Sequence, residues 1–136
     1  MSKFSWRYVT KEDLPTLNQW WDDWGWEAPP SAHMLPADAF MIVNLEDNVN
    51  VYAGFLYKTG TSIGWLEFVV SNKSAPVSSR RGALEFLVET VSTVAKINGI
   101  EMLFSTTVSP SFLNSLKKCG FEVGDVGATN LIKHLI

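Results

Sequence analysis

The chain has 136 residues, a net charge of −3 and 46% hydrophobic residues. That length suits one domain, residues 1–136, with enough buried surface to fold without a disulfide or metal. The acidic balance argues against a broad nucleic-acid-binding surface, and a single cysteine, Cys119, excludes an intrachain disulfide and a cysteine-built metal site.

In chain order, "FSWRYV" alternates, with Phe4, Trp6 and Tyr8 on one face, and predicts a strand. Thr10 is a candidate N-cap, with Glu12 and Asp13 in the following turn where acids are favoured. Leu14, Leu17, Trp21 and Trp24 then recur at helical spacing up to Gly25, and Trp20 falls outside that stripe. The stripe predicts packing for Trp21 and Trp24. "EAPPSAHMLPADA" carries three prolines and predicts a loop. Three strands follow at 40–45, 51–57 and 63–70, joined by polar turns as an antiparallel meander. On the last of them Glu67 alternates with Trp65 and Val69, opposite Leu66 and Phe68.

Leu84, Leu87, Val88, Val91, Val94 and Ala95 form the apolar stripe of the next helix, which stops at Asn98 and Gly99. "MLFSTTV" (102–108) predicts a buried strand reached by a parallel crossover. Ser109 caps a short helix with Pro110 in its first turn, Lys117 and Lys118 near its end and Gly120 beyond. Two short strands near 122–126 and 129–135 are predicted to close the chain. The order β-α-β-β-β-α-β-α-β-β is α+β, a mixed sheet with helices on its faces.

"SSRRGALEFLVETV" (78–91) puts Arg80, Arg81 and Gly82 in front of the second long helix. Cations are disfavoured at a helix start. Two readings therefore stand: an anion site, above all for a phosphate, or two solvated arginines. Cys119 sits at a helix end, a poor place for a nucleophilic thiolate. His33 and His134 have no second ligand or nucleophile at a telling spacing. No apolar run approaches the about 18 residues of a membrane span. The opening "MSKFSWRYVT" lacks a signal-type apolar core, so a cytoplasmic setting is expected.

This element order, with "WRYVTKEDLPTL" at its start, "VVSNKSAPVSSRRGALEFLVETV" in its middle and "LKKCGFEV" near its end, resembles the GNAT superfamily of acetyl-CoA-dependent N-acyltransferases over nearly the whole chain. It looks most similar to short GNAT-like proteins of phage and environmental sequences. The resemblance implies a GNAT-like α+β fold, a central mixed sheet of six to seven strands with helices on both faces. It implies transfer of an acetyl group from acetyl-CoA to a primary amine of a small molecule or protein, without a metal. The alternative is a catalytically inactive relative that binds acyl-CoA or a protein partner. Nucleic acid and membrane are not expected partners.

On this resemblance, the backbone N–H groups of Arg80, Arg81, Gly82 and Ala83 cradle the coenzyme A pyrophosphate from Ser79 onward. A backbone N–H near Val69 or Val70 polarises the thioester carbonyl. Glu67 is either the general base, tuned by partial burial, or a solvated strand carboxylate. Thr106 and Thr107 lie where the strands admit the pantetheine arm, and Ser109 is an N-cap that also falls where the family's Asn meets the cofactor. "WWDDWGWEAPP" falls at the acceptor wall, which leaves Trp20 and Trp26 as acceptor-site or interface residues, the latter in a homodimer. The family's loop pattern, Q/R-x-x-G-x-G/A, is met at Gly82 alone, with Ser79 and Leu84 at its other fixed positions. Leu116 stands where the family's proton-donating tyrosine is, and leucine has no proton to give.

Overall fold

A computed structural model describes residues 2–29 and 31–135, so Pro30 of the predicted proline loop lies outside the described residues. Contacts divide the chain into two compact units, Met1–Thr106 and Thr107–Ile136.

The first unit is built on a mixed sheet. Strands β1 (Phe4–Tyr8), β2 (Ala39–Asn44), β3 (Val49–Lys58) and β4 (Ile63–Ser71) pair antiparallel in sequence order, and β5 (Met102–Phe104) joins β4 in parallel. The meander and the parallel crossover are as expected. The sheet has five strands, not the six to seven implied by the resemblance. Strand β2 is buried along nearly its whole length, which is why it reads as an apolar run rather than an alternation.

Helices cover both faces. On one, α1 (Leu14–Asp23) buries Leu17, Trp20 and Trp21 against Ala39, Met41, Ala53, Phe55 and Val70. Trp20, outside the predicted stripe, is only 4% exposed. The small side chains of Ala39 and Ala53 leave room for a wide aromatic face of the helix. On the other face lies α3 (Ala83–Ile97), preceded by the single-turn helix α2 (Val77–Arg80). Leu87 of α3 settles over Gly54, where an added Cβ would lie 2.9 Å from the Leu87 Cδ2. Gly54 thus lets the helix sit close to the sheet.

Asp13 ties β1 to the start of α1. It accepts two hydrogen bonds from the Arg7 guanidinium (2.8 and 2.9 Å) and one from the Thr10 N–H, a capping box. The Arg7 bonds hold the Asp13 carboxyl down at about 2. Because its folded value lies below the ordinary 3.8, this stabilisation is complete above about pH 4 and is lost as the pH falls towards 2. Asp13→Ala is expected to cost about 1–2 kcal/mol. Thermal melts of both proteins at pH 7 and pH 2.5 check this, with the difference shrinking at the lower pH.

In the second unit, α4 (Pro110–Lys118) has Ser109 as its N-cap, whose Oγ accepts from the Phe112 N–H at 3.2 Å. The Phe121 N–H returns to the Leu116 carbonyl at 3.2 Å and closes the helix. The two strands expected near 122–126 and 129–135 are absent among the described residues. Val123, Val126, Leu131, Ile132 and Leu135 are all exposed. Alternation alone makes no strand without a neighbour for the backbone to pair with.

Candidate active site

The meander is regular until the middle of β4. Phe55 opposes Glu67 and Ala53 opposes Val70, so Gly54 faces the two residues Phe68 and Val69. This is a β-bulge. Phe68 takes a φ of +55°, a left-handed conformation that bulky residues adopt only under strain. The predicted alternation therefore fails here: Phe68 leaves the Leu66 face and joins Glu67 and Val70 on the α1 side, packing against the Trp21 cluster. Of the two residues expected to supply a carbonyl-polarising N–H, Val70 remains paired in the ladder and Val69 does not.

Two tryptophans of the α1 segment hold this irregular backbone. The Trp21 indole N–H donates to the Phe68 carbonyl at 3.2 Å, and that of Trp24 to the Ser71 carbonyl at 2.9 Å. The Phe68 carbonyl, which the bulge takes out of register, thus keeps a partner, and the second bond holds the regular strand just beyond it. Trp26, 39% exposed, stacks on Trp24 at 5.5 Å between centroids. Trp20 has its ring in the core, and its edge borders a shallow depression with Gln19, Asp23 and Asn72.

Beside the bulge, β4 and β5 part. Their ladder ends at Trp65 and Phe104, short of the predicted strand to 108. Side chains take over from there, because hydroxyls compete for backbone groups. The Ser105 Oγ donates to the Leu66 carbonyl at 2.7 Å. The Glu67 carboxylate bridges the gap, its Oε1 accepting from the Thr106 N–H (3.1 Å) and Oγ1 (3.0 Å). Among the described residues no donor reaches Oε2. Burial raises the Glu67 pKa, and the two Thr106 bonds oppose that rise only in part. Nearby, burial and the Glu67 charge push the Tyr57 phenol up to about 12. It stays neutral and donates to the Met34 carbonyl at 2.8 Å.

A second cluster lies at the start of α3. Gly82, at φ +87°, turns the chain into the helix, and no side chain caps the first turn, so free N–H groups remain there. The N–H groups of Arg80 and Arg81 are not among them. They bond to the Pro76 and Val77 carbonyls within α2, which corrects the expected cradle to Gly82, Ala83 and the residues that follow. The Ser79 hydroxyl is taken as well, donating to Asp47 at 2.6 Å. Asn44, 1% exposed, donates to the Ser79 carbonyl at 2.9 Å. Arg80 Nε donates to the Ala75 carbonyl at 3.1 Å, while Arg81 is exposed.

Ser109, Leu116 and Cys119 belong to the second unit, where Ser109 acts as the helix cap and Cys119 follows the last turn. His33 and His134 are exposed, and among the described residues no group of His, Cys, Asp or Glu is placed to hold a metal ion. Among the same residues no helix is long and apolar enough to cross a membrane. The bulge at Phe68 left no mark in the sequence, since the usual glycine signal for a positive φ is missing.

No protein-family model and no curated protein matches the sequence. Solved structures do match in three dimensions. A Trypanosoma brucei acetyltransferase superposes over 95% of this chain and 99% of its own, with a TM-score of 0.68 at 15% identity. The chain has the GNAT fold. The N-acetylglutamate synthase of Neisseria gonorrhoeae, solved with coenzyme A and L-arginine, matches 85% of this chain with 27% of its own (TM-score 0.66, 16% identity). An aminoglycoside acetyltransferase from an uncultured soil metagenomic sample matches 96% of this chain and 97% of its own (TM-score 0.64, 14% identity). The GNAT resemblance read from the sequence therefore stands for the fold, over both units of the chain.

Proposed function

We propose that the chain is an N-acetyltransferase that moves an acetyl group from acetyl-CoA to a primary amine. The observation that carries this is the bulge at Phe68 beside Glu67, at the point where β4 and β5 part. It combines an unpaired strand segment with a half-buried carboxylate of raised pKa, the parts an acyl transfer needs. Acetyl-transferring neighbours of the same fold, one of them solved with coenzyme A, support the reading.

The residues present fit the donor. The uncapped first turn of α3, with Arg80 and Arg81 beside it, suits a pyrophosphate. The Val69 backbone N–H polarises the thioester carbonyl, and Thr106 lies beside the arm. The amine nitrogen attacks the carbonyl carbon, a C–N bond forms, and the C–S bond breaks. Glu67, through Oε2 or a water, takes the proton lost by nitrogen, and solvent protonates the departing thiolate because Leu116 cannot.

Melting with and without millimolar acetyl-CoA, with adenosine 3′,5′-bisphosphate as a control, tests the donor site. Saturation at about 100 times the dissociation constant adds about 2.7 kcal/mol, a shift of several degrees. The Arg80→Ala, Arg81→Ala double variant is expected to weaken acetyl-CoA binding several-fold. An unchanged affinity would remove both side chains from the site. A shift without thiol release in the presence of any amine favours the second reading, an acyl-CoA binder without turnover, for which Leu116 is the specific argument.

A further inference from the structure

The face that carries Glu67 also carries an aromatic row. Register places Tyr57, Trp65 and Phe104 side by side across β3, β4 and β5. Trp65 and Phe104 stack with centroids 5.1 Å apart and planes 26° apart, and all three rings are only partly buried. Glu67 follows Trp65 by two residues on the same face, about 6.6 Å along the strand. The Tyr57 O–H is engaged by the backbone carbonyl of Met34. Lys58 alternates to the opposite face and pairs with Asp38 at 3.0 Å, so it does not oppose a cation near Glu67.

We infer that the acceptor is an arylalkylamine, an aromatic ring joined to a primary amine by a short chain of about two or three bonds. Its ring lies on Trp65 and Phe104, and its nitrogen reaches Glu67. This rests on the transferase reading above. The chemistry follows from what the row offers: stacking surface for a flat apolar body and one carboxylate for its amine. The bound ammonium first loses one proton through Glu67 to water. The neutral amine then attacks, a C–N bond forms and the C–S bond breaks. The nitrogen's second proton passes to Glu67, and solvent protonates the thiolate to leave the N-acetyl amide and free coenzyme A thiol.

The test follows thiol release from acetyl-CoA with phenethylamine, kanamycin and glutamate as separate acceptors. The expected result is a kcat/KM for phenethylamine at least about 10-fold above the others. Trp65→Leu is expected to raise the KM for phenethylamine about 10-fold while the acetyl-CoA melting shift persists. Phe104→Leu gives the same direction if Trp65→Leu does not fold. Faster release with kanamycin or glutamate overturns the acceptor class and leaves the transferase standing. No release with any amine overturns both, and an unchanged KM in the folded variants overturns the seat on the row.

Discussion

Trp21→Ala is expected to destabilise the protein by about 3–5 kcal/mol, a large share of the total for a domain of this size. The side chain is 2% exposed and packs on Phe55 at 5.9 Å and Phe68 at 6.3 Å. Its loss leaves a cavity between α1 and the sheet and removes the donor to the Phe68 carbonyl. Trp21→Phe separates the two effects in part. It keeps an aromatic ring in the core but loses the indole N–H and part of the ring volume, at about 1–3 kcal/mol. Denaturant unfolding of the three proteins checks the order. Because the lost bond holds the bulge, Trp21→Phe is also expected to lower acetyl transfer more than its stability change would suggest.

The largest effect on activity is expected at Glu67. Glu67→Gln preserves an acceptor for Thr106 and removes the base, so kcat should fall by about 10²–10⁴. The pH response separates the roles. If Glu67 is the base proposed above, the parent's rate is expected to rise with pH through its raised pKa, and the Gln variant is expected to lack that limb. Stability moves the other way. A carboxyl whose folded pKa is raised contributes stability below its ordinary value of 4.5, which is lost as the pH rises through the folded value. Glu67→Gln should therefore melt higher than the parent at neutral pH, the pattern of a residue kept for chemistry rather than stability. A variant with unchanged rate and unchanged melting would return Glu67 to a strut between β4 and β5.

The regular parts of the fold were legible because local signals and tertiary demands agree there. The alternation of β1, the apolar run of β2 and the Ser109–Pro110 start of α4 all fall where the structure has them. Glu67 and the loop before α3 were legible through the family resemblance. What stayed hidden depends on distant partners. Phe68 carries no sign of a positive φ, since the strain is held by Trp21 and Gly54 from other strands and helices. The N–H groups of Arg80 and Arg81 look available until α2 closes around them. The helical stripe leaves Trp20 out because periodicity does not reveal how small the facing residues Ala39 and Ala53 are.

The two indole bonds that grip β4 each join residues 47 positions apart. Hairpins β2–β3 and β3–β4 close over short turns, whereas contacts at that separation carry a larger loop-closure cost before they form. The two hairpins of the meander are therefore local contacts, whereas the shape of β4 at Phe68 depends on the long-range docking of α1.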